Sequence, residues 1–182
     1  MERGAEAASA GWKLELEYDG TQLREAQPVQ LCEAALREAG WDDEAAGDAA
    51  LLVAELWHNA LEHGVLGLDS GVKERSGGFS AYYVQREKAL ASLAEGRVRI
   101  SLVRERARRG DRLVVRVEDS GPGFVRAPLP RRGNLRKGGR GLLLVESLCE
   151  QLEFEGCGNV ARAVLTWRGE QALASGGGNS RQ

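Results

Sequence analysis

Glu55 and Asn59 stand four residues apart, so on a helix their side chains share one face about a turn apart. A carboxylate so placed can accept a proton or orient a nucleophile. An amide oxygen one turn on can ligate a magnesium ion that keeps its other waters. At about 100° per residue, Asp48, Glu55, Asn59 and Glu62 gather beside the apolar Leu52, Leu56 and Ala60 face rather than opposite it. A polar stripe on that boundary can line a cleft. Taken alone, the pair reads more simply as an ordinary solvated face, and His63, near the rim of the apolar face, as a structural histidine.

A second group lies in Val117-Glu118-Asp119-Ser120-Gly121-Pro122-Gly123-Phe124. Asp119 shares parity with Leu113, Val115 and Val117, which points it to the buried side at the end of a strand. An ionised carboxylate there needs a donor. The exocyclic amine of a purine supplies one, and Gly121 and Gly123 lack the side chains that would keep the following backbone away from a flat base. In a chain with 24 glycines, the same residues equally describe a capping aspartate before a glycine turn.

The third group, Gly138-Gly139-Arg140-Gly141-Leu142, stands at the start of an apolar helical run. Free backbone N–H groups at a helix start, with glycines permitting close approach, make a phosphate cradle. Between Arg126 and Arg140 lie six basic residues, Arg126, Arg131, Arg132, Arg136, Lys137 and Arg140, and no acid. Such a segment can fold over a triphosphate or serve as a docking patch for an acidic partner.

These groups need elements to hold them. Trp12, Leu14, Leu16 and Tyr18 alternate with charged residues, as in a strand buried on one face. Pro28 opens and Gly40 ends a first helix, and Asp42 or Asp43 caps a second that runs to about Glu62. Val98–Leu102 and Leu113–Val117 are expected as antiparallel strands, with the charged run Arg104–Asp111 as the loop between them. Leu142–Cys149 makes a third helix, and the Gly156–Asn159 turn pairs Leu152–Glu155 with Val160–Arg168. Residues 68–96 form an insertion in which Phe79–Ala94 can add a surface helix. The implied class is α+β: a two-layer sandwich of a mixed, mainly antiparallel sheet with helices on one face. One domain is expected over residues 1–173, with 174–182 a disordered tail. No GxGxxG opens a helix after Leu113–Val117, which weighs against a doubly wound parallel fold.

Composition sets outer bounds. With 182 residues, 42% hydrophobic and 29% charged, the chain suits one substantial core. A net charge of −2 leaves no global field to favour nucleic acid or an anionic membrane. No run approaches the roughly 20 apolar residues that a spanning helix needs. Cys32, Cys149 and Cys157 are odd in number and widely spaced, which argues against a disulfide framework or zinc site and fits a reducing cytoplasm.

Taken in order, the three groups resemble a known family. Glu55-Leu56-Trp57-His58-Asn59-Ala60 with His63-Gly64 is similar to the N box of the GHKL ATPases, the superfamily that joins DNA gyrase, a heat-shock chaperone, histidine kinases and a mismatch-repair protein. Asp119-Ser120-Gly121-Pro122-Gly123-Phe124 resembles its first glycine box and Gly139-Arg140-Gly141-Leu142 its second, the likeness covering roughly Ala26 to Trp167. The resemblance implies ATP and magnesium as cofactors. Asn59 would hold the ion, Asp119 would recognise the adenine amine, and Gly121 and Gly123 would shape the base pocket. Gly139, Arg140, Gly141 and Leu142 would receive the phosphates under a lid of about residues 126–138 that includes Arg136. His63 falls within the nucleotide-binding N box, and Glu55 matches the carboxylate proposed as general base.

Within the superfamily the chain most resembles the anti-sigma-factor serine/threonine kinases. It has no room for the further lysine-bearing domain of the longer branches, and its only histidines, His58 and His63, lie inside the N box rather than on a preceding helical hairpin. That likeness implies a small anti-anti-sigma protein of the STAS type as substrate. It also implies a sigma factor as an alternative partner, a homodimer, and no direct contact with nucleic acid or membrane. Ala60 to Ser70 looks especially like kinase domains fused behind a receiver and a PP2C-type phosphatase, so an excised C-terminal domain is expected. Two other readings stay open: a non-catalytic, ATP-gated anti-sigma binding module, and the ATPase domain of a histidine kinase.

Overall fold

A computed structural model describes residues 11–69, 71, 78–107, 110–123 and 140–167. Strand β1 (Lys13–Asp19) leads through a 3-10 turn (Gly20–Arg24) into helix α1 (Pro28–Glu38). Helix α2 (Asp43–His58) continues directly into a π-helical turn (Asn59–Val65). Helix α3 (Gly78–Ser92) precedes the hairpin of β2 (Arg97–Ala107) and β3 (Gly110–Asp119), and α4 (Arg140–Leu148) precedes that of β4 (Gln151–Glu155) and β5 (Val160–Trp167). The strands form one five-stranded sheet in the order β1-β2-β3-β5-β4. The expected α+β sandwich is present, and where the sequence allowed a mixed sheet, every pairing among the described residues is antiparallel.

Local chemistry explains the helix boundaries. Pro28 sits in the first turn of α1, where its missing N–H costs nothing, and Gly40 ends that helix with φ 87°, letting the Trp41 N–H return to the Leu36 carbonyl at 3.1 Å. Asp42 caps α2 by accepting from the Ala45 N–H at 2.8 Å, and Asp43 and Glu44 add negative charge at the helix's positive end.

Ala46, Ala49, Leu52, Val53 and Leu56 of α2 are fully or nearly fully buried, as are Ile100, Leu102, Leu113, Val115, Val117 and Ala163 of the sheet. All belong to one core. Tyr18 closes one end of it, edge-on to Trp57 with ring centroids 5.6 Å apart. The opposite face of the sheet holds ion pairs: Arg99 Nε donates to Glu17 at 2.6 Å, and Arg116 donates to Glu118 at 2.6 Å, holding that carboxyl below its ordinary range.

Two expectations need correction. The charged run Arg104–Asp111 is not a loop for most of its length, since β2 extends to Ala107 and β3 resumes at Gly110. Arg104 forms a two-pronged ion pair with Asp111, so the charges bind the two strands together instead of separating them. The second helix also does not run to Glu62 in one geometry: its α-helical part stops at His58, and the wider π turn follows. Among the described residues no helix is long and apolar enough to cross a membrane. The cysteines are free, and burial pushes the Cys32 thiol up to about 12. The tail at 174–182 lies outside the described residues.

Candidate functional site

A cavity of about 280 Å³ opens between the helices and the carboxyl end of β3. Val117, Ala161 and Phe154 form its sheet wall, adjacent through the β3, β5 and β4 register, while Leu56, Ala60 and Leu142 come from the helices. A narrow apolar slot of this kind suits a flat ring. Asp119 supplies the carboxylate at its rim, as strand parity predicted.

Asp119 is held from several sides. Its Oδ1 accepts from the Gly121 N–H at 2.8 Å, its own N–H donates to the Asn159 carbonyl at 3.0 Å, and Asn159 Nδ2 donates back to the Asp119 carbonyl at 2.8 Å. Burial pushes its carboxyl above the ordinary aspartate range, opposed in part by the Gly121 N–H. Glycines make this packing feasible. A methyl on Gly64 would lie 2.3 Å from Asp119 Oδ1, and one on Gly121 would lie 2.3 Å from the Gly64 carbonyl oxygen.

Asn59 and His63 both line the cavity from the π turn. His63 Nδ1 donates to the Leu68 carbonyl at 2.6 Å, which leaves Nε2 as the nitrogen free of that bond. Asn59 Nδ2 is buried and has no hydrogen-bond partner among the described residues. A buried amide of this kind calls for a missing polar group. Rotation of the amide would present its oxygen instead. That oxygen is the hard donor magnesium takes, and magnesium needs few protein ligands when phosphate oxygens and waters complete its shell. Among the described residues no group of three or more His, Cys, Asp or Glu could hold a metal unaided. The residues therefore fit an ion held jointly with a phosphate.

Glu55 is half-buried one turn earlier on α2 and meets the first turn of α4, since a methyl on Gly141 would lie 2.2 Å from its Oε2. Leu142 lines the cavity and Arg140 begins the helix. Arg136, Gly139 and the rest of the expected lid at 126–138 lie outside the described residues. Of the expected stripe only Asn59 lines the cavity: Asp48 and Glu55 stand outside its lining, and Glu62 pairs with α3 instead. Sequence reasoning missed Asn159 and Gly158, both of which line the cavity. Only the register pairing Glu118 with Val160 brings that turn to Asp119, and such pairing is not written in the motif.

Gly123 lines the cavity with φ 76°, and a methyl there would lie 2.2 Å from the Cys157 carbonyl oxygen. Gly67 has a similar φ of 61° and nothing within 4 Å, so it isolates the cost of the backbone alone. Gly67→Ala is expected to lose about 1 kcal/mol of stability. Gly123→Ala should lose about 1–3 kcal/mol more, because the β4–β5 turn must shift. Thermal melts of both variants compare them, and equal losses would refute the close-approach argument.

An apolar slot with one carboxylate at its rim and a glycine-containing helix start nearby is the geometry of a candidate nucleotide site in an α+β domain. The chain belongs to the histidine kinase-like ATPase domain family, whose model matches residues 18–165. It is thereby an ATP-binding domain of the GHKL type. A search of curated proteins gives no match.

Proposed function

We propose that this domain is an ATP- and magnesium-dependent protein serine/threonine kinase that phosphorylates a small STAS-type anti-anti-sigma protein in a sigma-factor partner switch. The contact between Glu55 and Gly141 is the observation that carries it: the carboxylate stands beside the first turn of α4, where helix geometry favours phosphate. A hydroxyl oxygen of the partner attacks the γ-phosphorus, the bond to the bridging oxygen of ADP breaks, and Glu55 takes the hydroxyl proton. Asp119 accepts from the adenine amine, with Gly121 and Gly123 leaving room for the ring. Asn59 would hold the magnesium ion, which when bound would neutralise charge on the phosphate oxygens. Arg136 of the lid, with Gly139 and Arg140, completes the phosphate contacts. The family-like wording of Ala60 to Ser70 supports origin as a cytoplasmic C-terminal domain of a phosphatase–kinase fusion, and the same branch supports a homodimer and a sigma factor as second partner.

Incubation with γ-labelled ATP, magnesium and candidate STAS proteins should give label on a serine or threonine of the partner. Gly141→Ala, whose methyl must push Glu55 aside, should slow that transfer at least roughly tenfold, while the helix gains up to about 1 kcal/mol from the better helix former. Tight ATP binding by the wild type without transfer to any candidate would overturn the kinase and favour a nucleotide-gated binding module.

A further inference from the structure

Among the described residues Glu62 is the one charged side chain that is buried. An isolated carboxylate so placed would be costly, so its partners decide whether the segment holds its shape. Two of its partners come from α3: the Tyr82 hydroxyl donates to Oε2 at 2.5 Å, and Arg86 Nε donates to Oε1 at 2.8 Å. Tyr82 and Arg86 stand four residues apart and so share one helix face. Burial, with Glu62 beside it, pushes the Tyr82 hydroxyl well above the ordinary phenol range, which keeps it a donor.

The rest of α3 adds little apolar anchoring near its start. Phe79, Tyr83 and Val84 are exposed, while Leu90 and Leu93 pack on the core farther along, where Arg24 also donates to the Leu93 carbonyl at 2.6 Å. The first half of the helix is therefore docked through the buried Tyr82 ring and the bonds that Tyr82 and Arg86 make to Glu62.

Glu62 belongs to the π turn, and its neighbours on both sides, Asn59, Ala60, His63 and Gly64, line the nucleotide cavity. Its backbone is engaged as well, since the Leu68 N–H donates to the Glu62 carbonyl at 2.8 Å and the Leu66 N–H to Leu61 at 2.8 Å. On the cavity side the turn has almost no slack, because Gly64 lies directly on the Asp119 carboxylate and Gly121 on the Gly64 carbonyl. A displacement of a few tenths of an ångström at Glu62 thus reaches Asp119 through close contacts.

We propose that Glu62, Tyr82 and Arg86 are positioning residues for the nucleotide site, with α3 clamping the π turn so that Gly64 and Asn59 stand at the right distance from Asp119. This rests on the cavity being the adenine site. The segment that the sequence marks as an insertion then supports the site from behind, through Glu62 of the π turn.

The test uses the full chain and three variants: Tyr82→Phe, which removes one donor; Glu62→Gln, which keeps an acceptor for Tyr82 but loses the charge facing Arg86; and Leu36→Ala, which destabilises the core within α1. In the ligand-free protein, Tyr82→Phe should speed hydrogen exchange of the Leu66, Leu68 and Gly121 amides by roughly tenfold relative to the change in global stability, and Leu36→Ala should not. ADP affinity should fall about five- to twentyfold in Tyr82→Phe and less in Glu62→Gln, with weaker discrimination of ATP over GTP, while Leu36→Ala keeps the wild-type ratio. Exchange at Gly121 and nucleotide selectivity that follow global stability alone in all three variants would overturn the clamp. A wild type that binds no adenine nucleotide, with the exchange differences intact, would instead overturn the assignment of the cavity.

Discussion

On the proposed kinase reading, Glu55→Gln should lower phosphoryl transfer from ATP to the partner hydroxyl by about 10²- to 10⁴-fold, with ATP affinity within roughly threefold of wild type. Glutamine matches glutamate in size, so it keeps the place against Gly141 and loses only the ability to take a proton. The cavity wall is not disturbed, because Asn59, His63, Asp119 and Leu142 line it and Glu55 does not. Binding and chemistry therefore separate, as expected of a group needed only as the new bond forms. Gly141→Ala acts on the same carboxylate by moving it, so the double variant should be no slower than Glu55→Gln alone. Single-turnover rates and ADP titrations on the three proteins give both quantities. Wild-type transfer by Glu55→Gln would remove Glu55 from the chemistry.

The ease with which these residues are found in sequence follows the range of the forces that place them. Asp119 was legible because strand alternation is strictly local: parity with Leu113, Val115 and Val117 put it on the inner side before any pairing was known. The caps and stops of α1 and α2 were legible for the same reason, since Pro28, Gly40 and Asp42 act on their own turn. Long-range pairing hid the rest. Asn159 looks like a turn residue until the β3 and β5 register sets it beside Asp119.

Glu62 reads as a cleft residue because an α-helical wheel was extended through a turn that is π-helical, which rotates later side chains away from their α-helical bearings. Arg104 and Asp111 read as loop residues because charge was taken to mean solvent, whereas opposed charges on neighbouring strands stabilise a ladder. Of the segment proposed to meet the phosphates, Arg136 and Gly139 lie outside the described residues, and Arg140, Gly141 and Leu142 open α4.

With Asp119 as the proposed base-recognising residue, Asp119→Asn should weaken ATP binding by roughly a hundredfold, close to the upper end of about 1.5–3 kcal/mol for a hydrogen bond to a charged group. The loss is large because the Gly121 N–H already uses one oxygen at 2.8 Å. The introduced amide must give its only oxygen to Gly121, which turns its NH₂ toward the base and sets donor against the adenine amine. Guanine presents an acceptor at the same position, so GTP should lose far less than ATP, and competition between the two nucleotides measures the shift.

The ligand-free fold should respond in the opposite sense. Burial raises the folded pKa of Asp119, so protonation stabilises the fold and ionisation costs it stability as pH rises through that raised value. The neutral amide escapes this cost, so the variant's gain over wild type should appear near neutral pH and vanish in acid, where the wild-type carboxyl is protonated in both states. Base recognition runs the other way, since it needs the ionised form, and adenosine affinity of the wild type should fall as pH drops through the same pKa. Adenosine carries no phosphate, which keeps phosphate protonation out of the measurement. Unchanged ATP affinity with an unchanged ATP to GTP ratio would place the base elsewhere than at Asp119. Lost binding together with a lower neutral-pH melting temperature would mean that the variant had damaged the fold instead of the recognition.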